Sequence, residues 1–331
     1  MNLSKQRVLG MLQGVALGDA MGMPTEVMSQ QTIKKNHPNG VNGLFPSEKG
    51  GPFQRYLPAG SITDDTVNTL LLSKMLIENK GKIEVKKFIH SLIKWTQDSE
   101  MSQYVAGPST MRALTSIRKG TPLAQAGIMG TTNGAAMKIS PIGVVYDYHK
   151  PDDLVEAVAK ICLPTHNTQI AIAGACAVAA IDSYVVRGGT NLKKMWLLAN
   201  EFAHRGLGYG FDYPSADLIY KIQQAKQIVD NTTQKDILLK RLYSEIGSGM
   251  QTIETIPCVL AIIQFTQGDA WETAKMAATI GGDTDTIGSI ATGICGGMHP
   301  ESVPLNLIDR IEKTNKFDLS NISEQLYITI N

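Results

Sequence analysis

The sequence predicts an all-α protein: a single compact domain of many helices spanning residues 1–331. Three observations predict this. Apolar residues recur at the helical period almost everywhere, two segments are apolar on nearly every side, and no internal run alternates as a half-buried strand would.

Along the chain, the first amphipathic stretch covers residues 6–17. Lys5 and Arg7 precede the apolar run that starts at Val8, as basic residues precede a signal peptide, but Gln13 interrupts that run and Asp19 ends it. A second stretch covers 67–78. In the third, 83–97, Val85, Phe88, Ile89, Leu92 and Ile93 fall on one helical face. Segments 152–161, 191–203 and 217–229 repeat the pattern, while 170–186 and 256–265 are apolar almost all round. Such helices belong inside a bundle, and the Ala and Gly of 170–186 let neighbours approach closely. The best strand candidate is terminal, the alternating LYITI of 326–330. Gly- and Pro-rich stretches at 38–60, 127–143 and 206–214 read as loops. Loops of more than about 12 residues in a compact domain are usually functional or disordered.

Composition narrows the function. Hydrophobic residues are 43% and aromatics 6%, so the core is built from aliphatic side chains. The 31 Lys and Arg against 30 Asp and Glu leave a net charge of +1, with no sign of the basic face that nucleic acid requires. Cys162, Cys176, Cys258 and Cys295 form no C-x-x-C pair and read as buried thiols in a reducing compartment. The longest apolar run has 12 residues, where a bilayer needs about 20. A cytoplasmic protein without a membrane span is expected.

Three acidic clusters carry the chemistry. They are Gly18-Asp19-Ala20-Met21-Gly22-Met23-Pro24-Thr25-Glu26, then Ser61-Ile62-Thr63-Asp64-Asp65-Thr66, then Gly281-Gly282-Asp283-Thr284-Asp285-Thr286-Ile287-Gly288. Thr and Asp at a helix start can simply cap it. Capping needs one acceptor, however, and the last two clusters each supply two carboxylates plus hydroxyls. Adjacent like charges cost energy unless a cation neutralises them. Oxygen donors without His or Cys suit a hard divalent ion, and four carboxylates can hold two such ions about 4 Å apart. Neither cluster continues into the twelve-residue loop of an EF-hand.

G-D-A-M-G-M-P-T-E, T-D-D-T and G-G-D-T-D-T-I-G, in this order, resemble the ADP-ribosylglycohydrolase family. Asn133-Gly134-Ala135-Ala136-Met137-Lys138 resembles the family's N-G-x-x-M-R loop, and Thr165-His166 its T-H element. The resemblance runs from Val8 to about His299. It implies an all-α fold with two Mg²⁺ (or Mn²⁺) ions at the base of a cleft. The implied ligands are Thr63, Asp64, Asp65, Asp283, Asp285 and Thr286, with Glu26 close to the metals. The resemblance also implies that Asn133, Gly134 and Met137 wrap a diphosphate and ribose and that His166 touches the ligand. Lys138, the remaining substrate-binding candidate, stands where many members carry Arg; it keeps the charge and loses the bidentate fork.

The implied reaction is hydrolysis at C1 of a ribose, which releases ADP-ribose from its acceptor. Glu26, Asp65 and Asp283 are the candidate catalytic carboxylates, and the sequence does not choose the base among them. An ADP-ribosylated protein or a small ribosyl compound is the expected partner. A nucleosidase on a small ribosyl compound is the alternative within the same chemistry, and a non-catalytic relative the alternative outside it. Both intact Asp motifs weigh against the latter. The aromatic loop 206–214 reads either as a stacking platform for a base or as a plain turn.

Overall fold

The computed structural model describes residues 3–47 and 56–330. Among these residues it contains eighteen α-helices and no strand. In chain order they are α1 (Lys5–Gly22), α2 (Gln30–Asn36), α3 (Asp64–Glu78), α4 (Val85–Asp98), α5 (Ser102–Val105) and α6 (Pro108–Arg118). There follow α7 (Leu123–Ala126), α8 (Ser140–Val145), α9 (Pro151–Cys162), α10 (Gln169–Val186), α11 (Leu192–Gly206) and α12 (Leu218–Asp230). The last six are α13 (Lys235–Arg241), α14 (Thr252–Phe265), α15 (Ala270–Ala277), α16 (Thr284–Met298), α17 (Leu305–Asn315) and α18 (Leu319–Ile328).

The core is organised around two buried elements. The first is α10, in which every residue from Ile170 to Val186 is buried. By length and composition it could cross a membrane, yet α8, α9, α11, α14 and α16 pack around it. Its excess of Ala and Gly makes it thin enough for that number of neighbours. The second is the pair α1 and α16, which run against each other along most of their length. Gly10, Gly14, Gly18 and Gly22 line the contact face of α1. A Cβ on Gly14 would lie 2.2 Å from the carbonyl oxygen of Thr292, and one on Gly10 2.3 Å from that of Gly296. Backbone therefore packs on backbone. The four-residue spacing of these glycines is a helical stripe, and it brings the N-terminal end of α16 beside the C-terminal end of α1.

Two sequence expectations change. LYITI is not a strand: α18 runs through Leu326–Ile328, with Asp318 capping it through a 2.8 Å bond from the Asn321 N–H. Leu319, Ser323 and Leu326 are buried at helical spacing toward α1 and α3, so the helical period of the longer segment overrides the short alternation. The 127–143 loop is also less open than its glycines suggest, since it holds a 3₁₀ turn at Asn133–Ala135 and the start of α8. The 38–60 loop is described only at 38–47 and 56–60, so its middle lies outside the described residues.

Asp182, on α10, is fully buried, and neither of its oxygens meets a partner of good geometry among the described residues. Burial raises its pKa to about 7, with the nearby Ser140 hydroxyl offsetting a small part. A folded-state pKa above the unfolded value stabilises the protein below about pH 4 and is lost as pH climbs toward 7. Asp182→Asn should therefore melt close to wild type near pH 4 and above it at pH 8, by an amount that grows to a ceiling of about 4 kcal/mol. Melting curves over that range check this, and a pH-independent difference would refute it.

Candidate metal centre

The last turn of α1 leads through a 3₁₀ turn, Met23–Thr25, to Glu26. Val27 follows with φ of 62°, a left-handed conformation that a β-branched residue rarely adopts. It is held there by its N–H, which donates to the Gly282 carbonyl at 2.7 Å, while the Gly282 N–H donates to Met28 at 2.9 Å. Gly281 and Gly282 have φ of 81° and 79°, and a Cβ on Gly282 would lie 2.2 Å from the Ser248 carbonyl oxygen. This glycine pair turns the chain tightly into Asp283, the N-cap of α16, whose N–H donates to Ser248 at 2.7 Å.

Asp64 and Asp65 open α3, so the positive ends of two helices converge on four carboxylates. One cleft is lined by Glu26, Asp64, Asp65, Asn133, Gly134, Met137, Asp283, Asp285 and Thr286, together with Tyr104, Gly107 and Met250. One oxygen each from Glu26, Asp283 and Asp285 can lie within 4.8 Å of the others. The Gly107 N–H donates to Asp64 at 3.0 Å, and the Thr286 hydroxyl to Asp65 at 3.2 Å. Asn133 Nδ2 donates to Asp283 Oδ2 and, at 2.8 Å, to Thr255, while its N–H reaches the Met250 carbonyl. The N-G loop is thereby tied directly to the acidic cluster.

Burial and mutual repulsion dominate the electrostatics. Burial raises Asp64 to about 7, with Asp285 and Asp19 adding to the rise. Asp65 and Asp283 are pushed well above the carboxylate range, first by burial and then by neighbouring carboxylates, Asp285 foremost. Asp65 Oδ1 and Asp285 Oδ1 are buried without a hydrogen-bond partner among the described residues. Such orphaned oxygens call for an explanation. A hard divalent cation supplies one, since it neutralises the repulsion and prefers oxygen donors in this pattern.

Three of the residues singled out from the sequence stand behind the cleft lining. The Thr63 hydroxyl donates to Asp19 at 2.9 Å and to Asp65 at 3.2 Å. Lys138 is buried and its ammonium donates to the Gly134 carbonyl. Burial lowers its pKa, while Cys162, Asp64 and Asp65 oppose that shift. One carbonyl acceptor suits a compact ammonium, so the bidentate fork of Arg is not required at this position. His166 is fully buried; its nitrogens lie 3.0 Å from Thr132 Oγ1 and 2.8 Å from Thr165 Oγ1. Burial lowers its pKa well below the usual value and keeps it neutral. Its ring fills the space beside Gly134, where a Cβ would lie 2.8 Å from Nε2. The 206–214 loop pairs with Asn167–Gln169 through Phe211, beside α10 and not along the cleft.

Sequence reasoning gave no role to Asp19 or to the cleft residues Tyr104, Gly107 and Met250. Asp19 had a signal, a carboxylate embedded in a glycine stripe. The other three carry none, because nothing local marks them.

Comparison with known proteins gives the family and the fold. The model of the ADP-ribosylglycohydrolase family matches residues 2–331. The uncharacterized protein YegU of Escherichia coli K12 is 33% identical over 98% of this chain and 97% of its own. ADP-ribosyl-[dinitrogen reductase] glycohydrolase of Rhodospirillum rubrum is 26% identical over 87% of this chain and 88% of its own. Among solved structures, an ADP-ribosylglycohydrolase-related protein complex superposes with a TM-score of 0.72 at 22% identity, covering 99% of both chains. That likeness shows the fold.

Proposed function

This chain belongs to the ADP-ribosylglycohydrolase family, and from that premise we propose that it is a hydrolase that cleaves the C1 glycosidic bond of an ADP-ribosyl group from its acceptor. The observation that carries the reading is the convergence of Glu26, Asp64, Asp65, Asp283 and Asp285 in one cleft with the Asn133–Gly134 loop along its wall.

Asp64, Asp65, Asp283, Asp285 and Thr286 would hold two divalent ions, Mg²⁺ or Mn²⁺, with Thr63 serving through its bond to Asp65. Bound there, the ions would grip ribose hydroxyls and lower the pKa of water. The chain's own groups do the rest. The Asp65 and Asp283 carboxylates stabilise the positive charge that develops at C1 as the bond to the acceptor breaks. Glu26, half-buried at the cleft, is placed to take a proton from the attacking water. The Gly134 backbone N–H and Met137 would receive the diphosphate and ribose, with Asn133 holding the loop in place through its bonds to Met250, Thr255 and Asp283. Lys138 and His166 support this loop from behind, a role that their hydrogen bonds favour over direct contact with substrate. The four unpaired buried thiols suit a reducing, cytoplasmic setting.

Incubation with ADP-ribosyl-arginine, ADP-ribosyl-serine and a panel of nucleosides, with and without chelator, tests the reading. Free ADP-ribose should form from at least one ADP-ribosyl substrate, and only with Mg²⁺ or Mn²⁺ present. Metal at about 100 times its Kd should raise the melting temperature of chelator-stripped protein, equivalent to roughly 2.7 kcal/mol. Release of nucleobase from nucleosides with ADP-ribosyl bonds left intact would move the assignment to a nucleosidase. Absence of any melting shift would remove the metal centre.

A further inference from the structure

We propose that Asp19, on α1, is a positioning residue that fixes the first turn of α3 and so sets where Asp64 and Asp65 stand relative to Asp283 and Asp285. The proposal rests on the metal reading of the cleft but not on the identity of the substrate.

Asp19 is completely buried, and both of its oxygens are used. It accepts from the Thr63 N–H at 2.9 and 3.0 Å, from the Thr63 hydroxyl at 2.9 Å, from the Thr66 N–H at 3.0 Å and from the Thr66 hydroxyl. An α-helix begins with four N–H groups that have no partner within it. The N-cap of α3, Thr63, does not satisfy any with its own side chain. Asp19 does so from a different helix, 44 positions earlier in the chain. Asp64 and Asp65 are therefore spared the capping that Asp usually performs at a helix start, and both carboxylates line the cleft.

Part of the surface of α3 is left without close packing. Val67, Leu70, Leu71 and Ile77 on α3 line an open pocket of about 450 Å³, together with Phe317 and Ile322. A helix with open space along one face is not held in register by packing there, because close packing is what resists small displacements. On the opposite side, α1 is locked to α16 by backbone contact, and the glycine preceding Asp19 is part of that lock: a Cβ on Gly18 would lie 2.0 Å from the Gly288 carbonyl oxygen. Asp19 thus refers α3 to the same rigid pair of helices that carries Asp283 and Asp285. The Thr63 hydroxyl, shared between Asp19 and Asp65, and the Thr286 hydroxyl on Asp65 complete the connection.

The test is Mn²⁺ binding, followed by calorimetry and by the electron paramagnetic resonance spectrum of the bound ion. Asp19→Ala, Asp19→Asn and Thr66→Val are compared with wild type, with circular dichroism as the check on folding. Outer-shell groups typically account for about 10- to 100-fold in metal affinity. Asp19→Ala should bind Mn²⁺ at least about tenfold more weakly, with an altered spectrum and wild-type helicity. Asp19→Asn keeps one acceptor oxygen and should recover part of the loss. Thr66→Val keeps every charge and removes one donor, so it should show a smaller weakening of the same kind. It decides the matter if the Asp19 variants do not fold. Folded variants with wild-type Mn²⁺ affinity and spectrum would overturn the proposal. Wild-type protein that binds no Mn²⁺ would instead overturn the metal centre itself.

Discussion

Asp283→Asn is expected to lower turnover on an ADP-ribosyl substrate by about a hundredfold or more at saturating metal, the usual cost of removing one electrostatic group from a transition state. The helical fold should survive. Asp283 stands at the N-cap position of α16, but its side chain makes no capping bond there, so Asn removes none. Its N–H keeps the Ser248 carbonyl, and its side-chain oxygen can still accept from Asn133. What disappears is the charge, at a position where four carboxylates already share a buried space and where bond cleavage at C1 develops positive charge. The loss should appear in kcat, because a charge that matters chiefly in the transition state leaves ground-state binding less affected. Metal affinity measured in the same variant separates loss of an ion from loss of transition-state stabilisation. Near wild-type turnover at saturating Mg²⁺ would remove Asp283 from the catalytic set.

The fold class was legible because helical periodicity is repeated in segment after segment, and a local pattern that recurs needs no tertiary information. Where the pattern was short the inference failed. LYITI alternates over five residues, but Leu319, Ser323 and Leu326 set the face that meets the core. The acidic cluster was legible for a different reason: paired carboxylates among Gly and Thr exceed what capping requires. Orientation was not legible. The resemblance turns Thr165-His166 and Lys138 toward a ligand, whereas the side chains of His166 and Lys138 bond to Thr132 and to the Gly134 carbonyl. Asp19 stood in plain view within the first motif. Its partners, Thr63 and Thr66, are on another helix, and no local rule links a residue in the last turn of one helix to the cap of a helix that begins 45 positions later.

Gly18→Ala should destabilise the protein at or above the roughly 3 kcal/mol upper end for overpacked cores. In an isolated helix the same change would stabilise by up to about 1 kcal/mol, since Ala is the better helix former. Here the added methyl would meet backbone and not a movable side chain: 2.0 Å from the Gly288 oxygen, 2.2 Å from its carbonyl carbon and 2.7 Å from the Ser289 nitrogen. No rotamer relieves those contacts, so α1 and α16 must separate. For a chain of this size the loss corresponds to a melting temperature lower by roughly 5 °C or more. Gly43→Ala is the control, because a Cβ there meets nothing within 4 Å among the described residues, and its melting should be unchanged. The consequence reaches the cleft as well. Gly18 precedes Asp19, and Gly288 lies one turn beyond Asp285, so parting these helices displaces the anchor of α3 from the carboxylates of α16. Mn²⁺ affinity in folded Gly18→Ala should therefore fall together with stability. A variant that melts as wild type does would show that the two helices are not held in backbone contact, and the rigid reference for Asp19 would be lost with it.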